Sequence, residues 1–245
     1  MELRSGTMSS LQGQKAMWFF PLMAWLMLAV VLIGFAPTLY LRPLGNEQLP
    51  TALRTLPGHL YAHGVALSAW FLLFVTQTML IANRRYQMHR TIGSLAIIVA
   101  LAVILTTSVT LQHAISNPVR LPLKDNPVVF FTNAMSVLQF AVLVSCGVAF
   151  RARSDTHKRL MYLANVSLLT AAISRWPGVI DLPPAAVANI SLVFLLALIV
   201  RDMLVEKRLH RATIWGGIVF SIVSRLVFIS LGLSPLGRWS VDALA

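Results

Sequence analysis

The sequence predicts an all-α, polytopic membrane protein built as one bundle of seven spanning helices. Three observations predict it. Of 245 residues 57% are hydrophobic and 11% charged, against about 25% charged in ordinary soluble domains. The mean hydropathy is +0.75. The basic residues behind the net charge of +12 fall in short clusters between long apolar runs, which is the pattern of topology signals. So few charges cannot cover a soluble surface, and disorder requires low hydrophobicity instead. A nucleic-acid partner is excluded too, because it needs a basic face on a soluble module.

A helix needs about 20 mainly apolar residues to cross the hydrocarbon core. The first run, 18–39, ends in Phe35-Ala36-Pro37-Thr38-Leu39-Tyr40. That is no small-residue cleavage site, so a retained helix is expected. Pro43 and Pro50 separate it from the second run, 60–82. A turn at Arg84–Arg90 leads to the third, 91–111, closed by Asn117-Pro118 and Pro122. The fourth, 128–150, passes through a basic turn into the fifth, 160–176, which is the shortest and carries Asn165 and Arg175. Pro183-Pro184 precedes the sixth, 185–205, and the basic turn Glu206–Arg211 precedes the seventh, 214–233. No segment is long and polar enough for a separate soluble unit, so residues 1–245 form one transmembrane domain. Cys146, the single cysteine, lies inside a run, so no intrachain disulfide and no cysteine metal cluster is expected.

Orientation follows the Lys and Arg bias. Arg4, Lys15, Arg84, Arg85, Arg90, Arg151, Arg153, Lys158, Arg159, Arg201, Lys207, Arg208 and Arg211 fall on the N-terminal side. Arg42, Arg54, Arg120, Lys124, Arg175 and Arg238 fall opposite, and Arg225 lies within the last run. The N-terminus is therefore expected in the cytoplasm and, with seven spans, the C-terminus outside. The three basic turns each carry a His followed by Arg or Lys before a new helix: His89-Arg90, His157-Lys158 and His210-Arg211. This reads as one helix followed by three hairpins.

A string of motifs runs from His63-Gly64, Trp70 and Gln77 through His89-Arg90-x-x-Gly93 and His157-Lys158-Arg159-Leu160-Met161. It continues with Ala171-Ala172-x-x-Arg175-Trp176 and His210-x-Ala212-Thr213-x-Trp215-Gly216-Gly217. The string resembles a family of uncharacterised bacterial seven-helix inner-membrane proteins, over roughly residues 60–217. The resemblance implies a multi-pass protein of the bacterial inner membrane and no activity. A weaker one, through histidines near both membrane faces, is to di-haem cytochromes of the b561 type.

Three constellations are candidates for chemistry. On the outer side His59 and His63 share a helix face at i and i+4, and His113 ends the third helix on the same side. Imidazoles suit zinc, copper and iron, which makes these three candidate ligands for a transition metal. Haem needs facing pairs, and the topology offers His63 with His113 and His89 with His157. However, His89 and His113 are 24 positions apart on one helix, about 36 Å, at or beyond the hydrocarbon edges. On the inner side His89, Arg90, His157, Lys158, Arg159, His210 and Arg211 stand beside three helix N-termini, a candidate anion site for a lipid headgroup. Within the hydrocarbon, Arg225, Arg175, Gln77 and Gln139 are candidates for lining a ligand cavity. Asp202 lies towards the inner end of helix six, and Asp181 is the anion nearest Arg225 by depth.

No phosphate loop, HExxH helix or nucleophile elbow occurs, so no catalytic residue is assigned and enzyme activity stays open. The leading expectation is a binding or accessory protein for a lipid or small anionic or apolar molecule. The alternatives are a haem- or metal-binding redox protein using paired histidines and a small transporter. Broken helices and inverted repeats, the marks of the last class, are not legible. Membrane lipid is the expected partner, and protein partners are not specified.

Overall fold

The computed structural model describes residues 2–41, 56–116, 126–176, 182 and 184–244. Among the described residues every element is helical: α1 (Glu2–Phe35, continued by a π-helical turn at Ala36–Tyr40), α2 (Gly58–Ala82), α3 (Tyr86–Ser116), α4 (Pro127–Ala149), α5 (Ser154–Ile173), α6 (Pro184–Ile190), α7 (Leu192–Arg201), α8 (Val223–Leu233) and α9 (Pro235–Leu244). Two further π-helical stretches, Asp202–Glu206 and Thr213–Ile222, follow α7 and precede α8.

Among the described residues five segments are long and apolar enough to cross a membrane: Met17–Phe35, Gly58–Ala82, Tyr86–Ile115, Pro127–Ala149 and Thr213–Leu233. They mark a membrane protein. The expected fifth and sixth spans do not reach that mark, for different reasons. The fifth, α5, is the centre of the bundle. It packs against α1, α4, α6, α7 and the Thr213–Ile222 stretch, and from Arg159 to Ile173 almost every residue is buried. A helix shielded by protein needs less hydropathy than one facing lipid, provided its polar groups are satisfied. Asn165 accepts from Trp70 Nε1 on α2 at 3.0 Å and donates to the Met161 carbonyl at 2.8 Å. The Tyr162 hydroxyl donates to the Phe194 carbonyl of α7 at 2.7 Å.

The sixth is interrupted at Ser191, between α6 and α7. The broken helix that the sequence concealed is therefore present. The last span is π-helical over its first ten residues, a geometry that is rare and concentrated at functional sites.

Local sequence accounts for the entries and exits. Asn126 caps α4 by accepting from the Val129 amide at 3.4 Å, with Pro127 in the first turn. Arg84 and Lys207 take the left-handed conformation, both at φ 57°, and each stops a helix just before a basic turn. Close packing needs small residues at two crossings. A Cβ on Gly232 of α8 would lie 2.6 Å from the Val128 Cα of α4, and one on Gly34 of α1 would overlap the Ala172 backbone of α5.

Candidate functional site

A groove of about 770 Å³ opens where α4, α5 and the start of the last span meet, at the end of the bundle that carries the basic turns. Its wall is apolar: Val142, Leu143, Cys146 and Phe150 from α4 and its end, Leu160 from α5, and Trp215 and Phe220 from the last span. Its rim is basic: Arg153, Arg208, His210 and Arg211. Helical spacing puts Val142, Cys146 and Phe150 four residues apart on one face of α4. Gly216 lets the last span pack closely on α5, since a Cβ there would stand 3.1 Å from the Leu160 side chain. Arg153 lies over the Phe150 ring at 5.6 Å. Among the described residues no carboxylate pairs with Arg153, Arg208 or Arg211.

The segment that carries His210 and Arg211 is fixed by a buried ionic cluster. Asp202 accepts from Arg159 Nη2 at 2.7 Å, Arg201 Nη1 at 3.0 Å, the Thr213 hydroxyl at 2.6 Å and the His210 amide at 3.3 Å. Glu206 accepts from Arg159 and, at 2.7 Å, from Arg201. Asp202 and Glu206 are four apart, so one face of the π-helical turn presents both. Burial pushes the Glu206 carboxyl up, but the hydrogen bonds from Arg201 and Arg159 outweigh it and hold the group below the usual carboxylate range. Burial and the nearby Arg159 lower the pKa of the His210 imidazole, which lines the groove.

The expected inner cationic site thus divides into parts. His210 and Arg211 reach the groove. Arg159 is fully buried and neutralised, and the expectation of a free cation there overlooked Asp202 and Glu206. Lys158 pairs with Asp155, whose carboxyl that hydrogen bond lowers. His89 and His157 meet edge to face, ring centroids 6.3 Å apart, while Arg90 stays exposed. His157 Nδ1 lies 2.8 Å from the Gly147 carbonyl, and the Gln77 amide reaches the His89 ring and the backbone around Gly93.

The four residues expected to line one cavity do not converge. Gln139 donates to the Ser221 carbonyl at 3.0 Å and the Ser224 hydroxyl at 2.6 Å. Arg225, the next residue, is buried in the interior with Nη2 at 3.3 Å from the Ser191 hydroxyl. Gln77 belongs to the His89 neighbourhood, and Arg175 lies over the Phe35 ring at 4.8 Å and donates to the Ala171 carbonyl. Asp181 lies outside the described residues.

The three outer histidines are brought near one another without forming a ligand set. His59 and His113 stack face to face at 4.3 Å with planes 10° apart, so their ring nitrogens lie in parallel planes instead of converging on one ion. His63 Nδ1 lies 3.3 Å from the Thr107 hydroxyl and 3.5 Å from that of Thr106. Among the described residues no group of three His, Cys, Asp or Glu side chains is placed to hold a metal.

Cys146 reads in sequence as an ordinary position of an apolar run and Trp215 only as part of the motif string, with no signal that brings the two into one groove. Comparison of the chain with protein-family models, curated proteins and solved structures finds no match.

Proposed function

We propose that this is a seven-span membrane protein, N-terminus inside, that binds an anionic amphiphile, a lipid with an acidic headgroup, in the groove between α4, α5 and the last span. The observation that carries this reading is the pairing of an apolar wall with a rim of arginines that, among the described residues, lack carboxylate partners. The wall suits an acyl chain, and guanidinium groups suit phosphate. Basic pockets between helices on the cytoplasmic side are where acidic headgroups bind, so the groove and the positive-inside bias agree. Burial of α5 by its neighbours supports counting it as a span despite its polarity. In a bacterium the membrane concerned is the inner one.

The test is lipid analysis of the purified full chain. Acidic phospholipid should be enriched over zwitterionic lipid. Each of Arg208→Gln and Arg211→Gln should reduce the enrichment about fivefold, from roughly 1 kcal/mol per basic residue near an anionic surface. Equal retention of both lipid classes contradicts the reading.

A second reading rests on His89 and His157. Two imidazoles on one metal at about 2.0 Å each have ring centroids roughly 6 Å apart, close to the 6.3 Å between these rings. A visible absorbance band shared between two histidines, lost in His157→Ala, supports it, and a colourless protein free of transition metal removes it.

A further inference from the structure

The last span stops at Leu233, where Ser234 is followed by Pro235. Ser234 takes an extended conformation, as the residue before a proline does. Its hydroxyl donates to the Leu231 carbonyl at 2.7 Å and accepts from the Gly237 amide at 3.1 Å. One residue thus ends α8 and caps α9, with Pro235 in the first turn. From there α9 turns back onto the bundle and packs against α8 and α4. A Cβ on Gly237 would overlap the Leu231 carbonyl and stand 3.2 Å from the Phe131 ring. Leu231 belongs to the last turn of α8 and Phe131 to the start of α4. The helix therefore lies at the level where two spans leave the hydrocarbon.

The surface of α9 divides into three sectors at about 100° per residue. Gly237 and Val241 fall on one side, and both are buried. Leu236, Trp239 and Ala243 share one flank and are exposed, Trp239 at 68%. Arg238 and Asp242 share the other flank and are exposed too. On α8, Leu226 and Leu233 lie on one face and are likewise exposed. The apolar surface that the last span turns to lipid thus ends just short of Leu236. An apolar flank and a charged flank on one helix, set at the end of a span, is the pattern of a helix lying in the membrane interface. Tryptophan is enriched at that depth.

We infer that α9 is an in-plane membrane anchor, whose partner is the boundary between phospholipid headgroups and acyl chains. Leu236, Trp239 and Ala243 enter that boundary, and Arg238 and Asp242 face the water side. Arg238 and Asp242 carry opposite charges, so the anchor makes no demand for an acidic headgroup, unlike the groove. It requires the last span to cross the membrane and does not rest on the groove reading.

The experiment is spin labelling of the full chain in vesicles of phosphatidylcholine alone. In a Cys146→Ala background, Leu236→Cys, Trp239→Cys, Arg238→Cys and Asp242→Cys are labelled one at a time. Each label is tested against oxygen, which concentrates in lipid, and against a nickel chelate, which stays in water. The ratio of oxygen to nickel accessibility should be several-fold higher for Leu236→Cys and Trp239→Cys than for Arg238→Cys and Asp242→Cys. A second readout needs no cysteine variant. Phosphatidylcholine brominated near the headgroup should quench the wild type's tryptophan fluorescence more than that of Trp239→Phe. Equal ratios at the four positions overturn the proposal, and so does quenching unchanged by Trp239→Phe. Low accessibility to both reagents at Leu236 and Trp239 overturns it as well, because protein would then cover the flank.

Discussion

The Arg159 guanidinium and the Asp202 carboxylate, 43 positions apart in the chain, meet at 2.7 Å with both side chains fully buried. The pair ties the central helix α5 to the end of α7. Because Asp202 also accepts from the Thr213 hydroxyl and the His210 amide, it sets the start of the last span and with it one edge of the groove.

Removing one partner leaves the other as a buried, uncompensated charge, an effect of about 3–5 kcal/mol. Asp202→Asn should therefore lower the unfolding midpoint sharply. The double change Arg159→Met with Asp202→Leu should recover much of the loss, because a well-packed apolar pair is often neutral in such a position. A double-mutant cycle in thermal unfolding measures the coupling.

Acid should act through Glu206. Its carboxyl is lowered in the folded protein, so between the ordinary carboxylate value and the lower folded one the unfolded chain binds more protons. Stability from this group is present above the ordinary glutamate range, near 4.3, and is lost as pH falls through the folded value. Glu206→Gln should be less stable than the wild type at neutral pH, and the gap should narrow in acid. Unfolding midpoints measured over that acid range check the sign.

Close contact between α4 and α8 gives a steric prediction. A Cβ at Gly232 would meet the Val128 backbone at 2.6 Å, which cannot move aside as a flexible side chain can. Gly232→Val should destabilise by about 1–3 kcal/mol, the range for overpacking, and the separation of α8 from α4 would show as faster proteolysis near Asn126. An equally stable Val variant contradicts the packing described.

Topology has its own check. With seven spans, a reporter active only outside the cell should work when fused after Ala245 and stay silent when fused near Ser154. A silent, well-expressed C-terminal fusion contradicts the seven-span arrangement.

The helical class and the long apolar segments were legible because they depend on composition and run length, quantities that need no contacts. The basic turns were legible for the same reason, and Arg84 and Lys207 show how two of them begin. The π-helical stretch at Thr213–Ile222 was not, because an added residue per turn leaves the hydropathy of a run unchanged. The interruption at Ser191 was hidden by a serine in an otherwise apolar segment. The ionic cluster was half legible. Asp202 and Glu206 stand four apart, a spacing that marks one face, and Arg159 begins an apolar run. Their pairing depends on the crossing of α5 and α7, which no local signal carries. The groove was the least legible part, since Cys146, Phe150, Leu160 and Trp215 come from three segments and each resembles an ordinary lipid-facing or core residue.

Cys146 reports directly on whether the groove holds an acidic lipid. It is the one cysteine of the chain, its thiol is free and half-buried, and it lines the apolar wall. The measurement is the rate of Cys146 modification by a small maleimide in the purified full chain, with acidic or zwitterionic phospholipid added. With an acidic lipid in the groove, acidic lipid slows the reaction, zwitterionic lipid does so far less, and Arg208→Gln with Arg211→Gln abolishes the difference. A rate that is the same with both lipids in the wild type would contradict it.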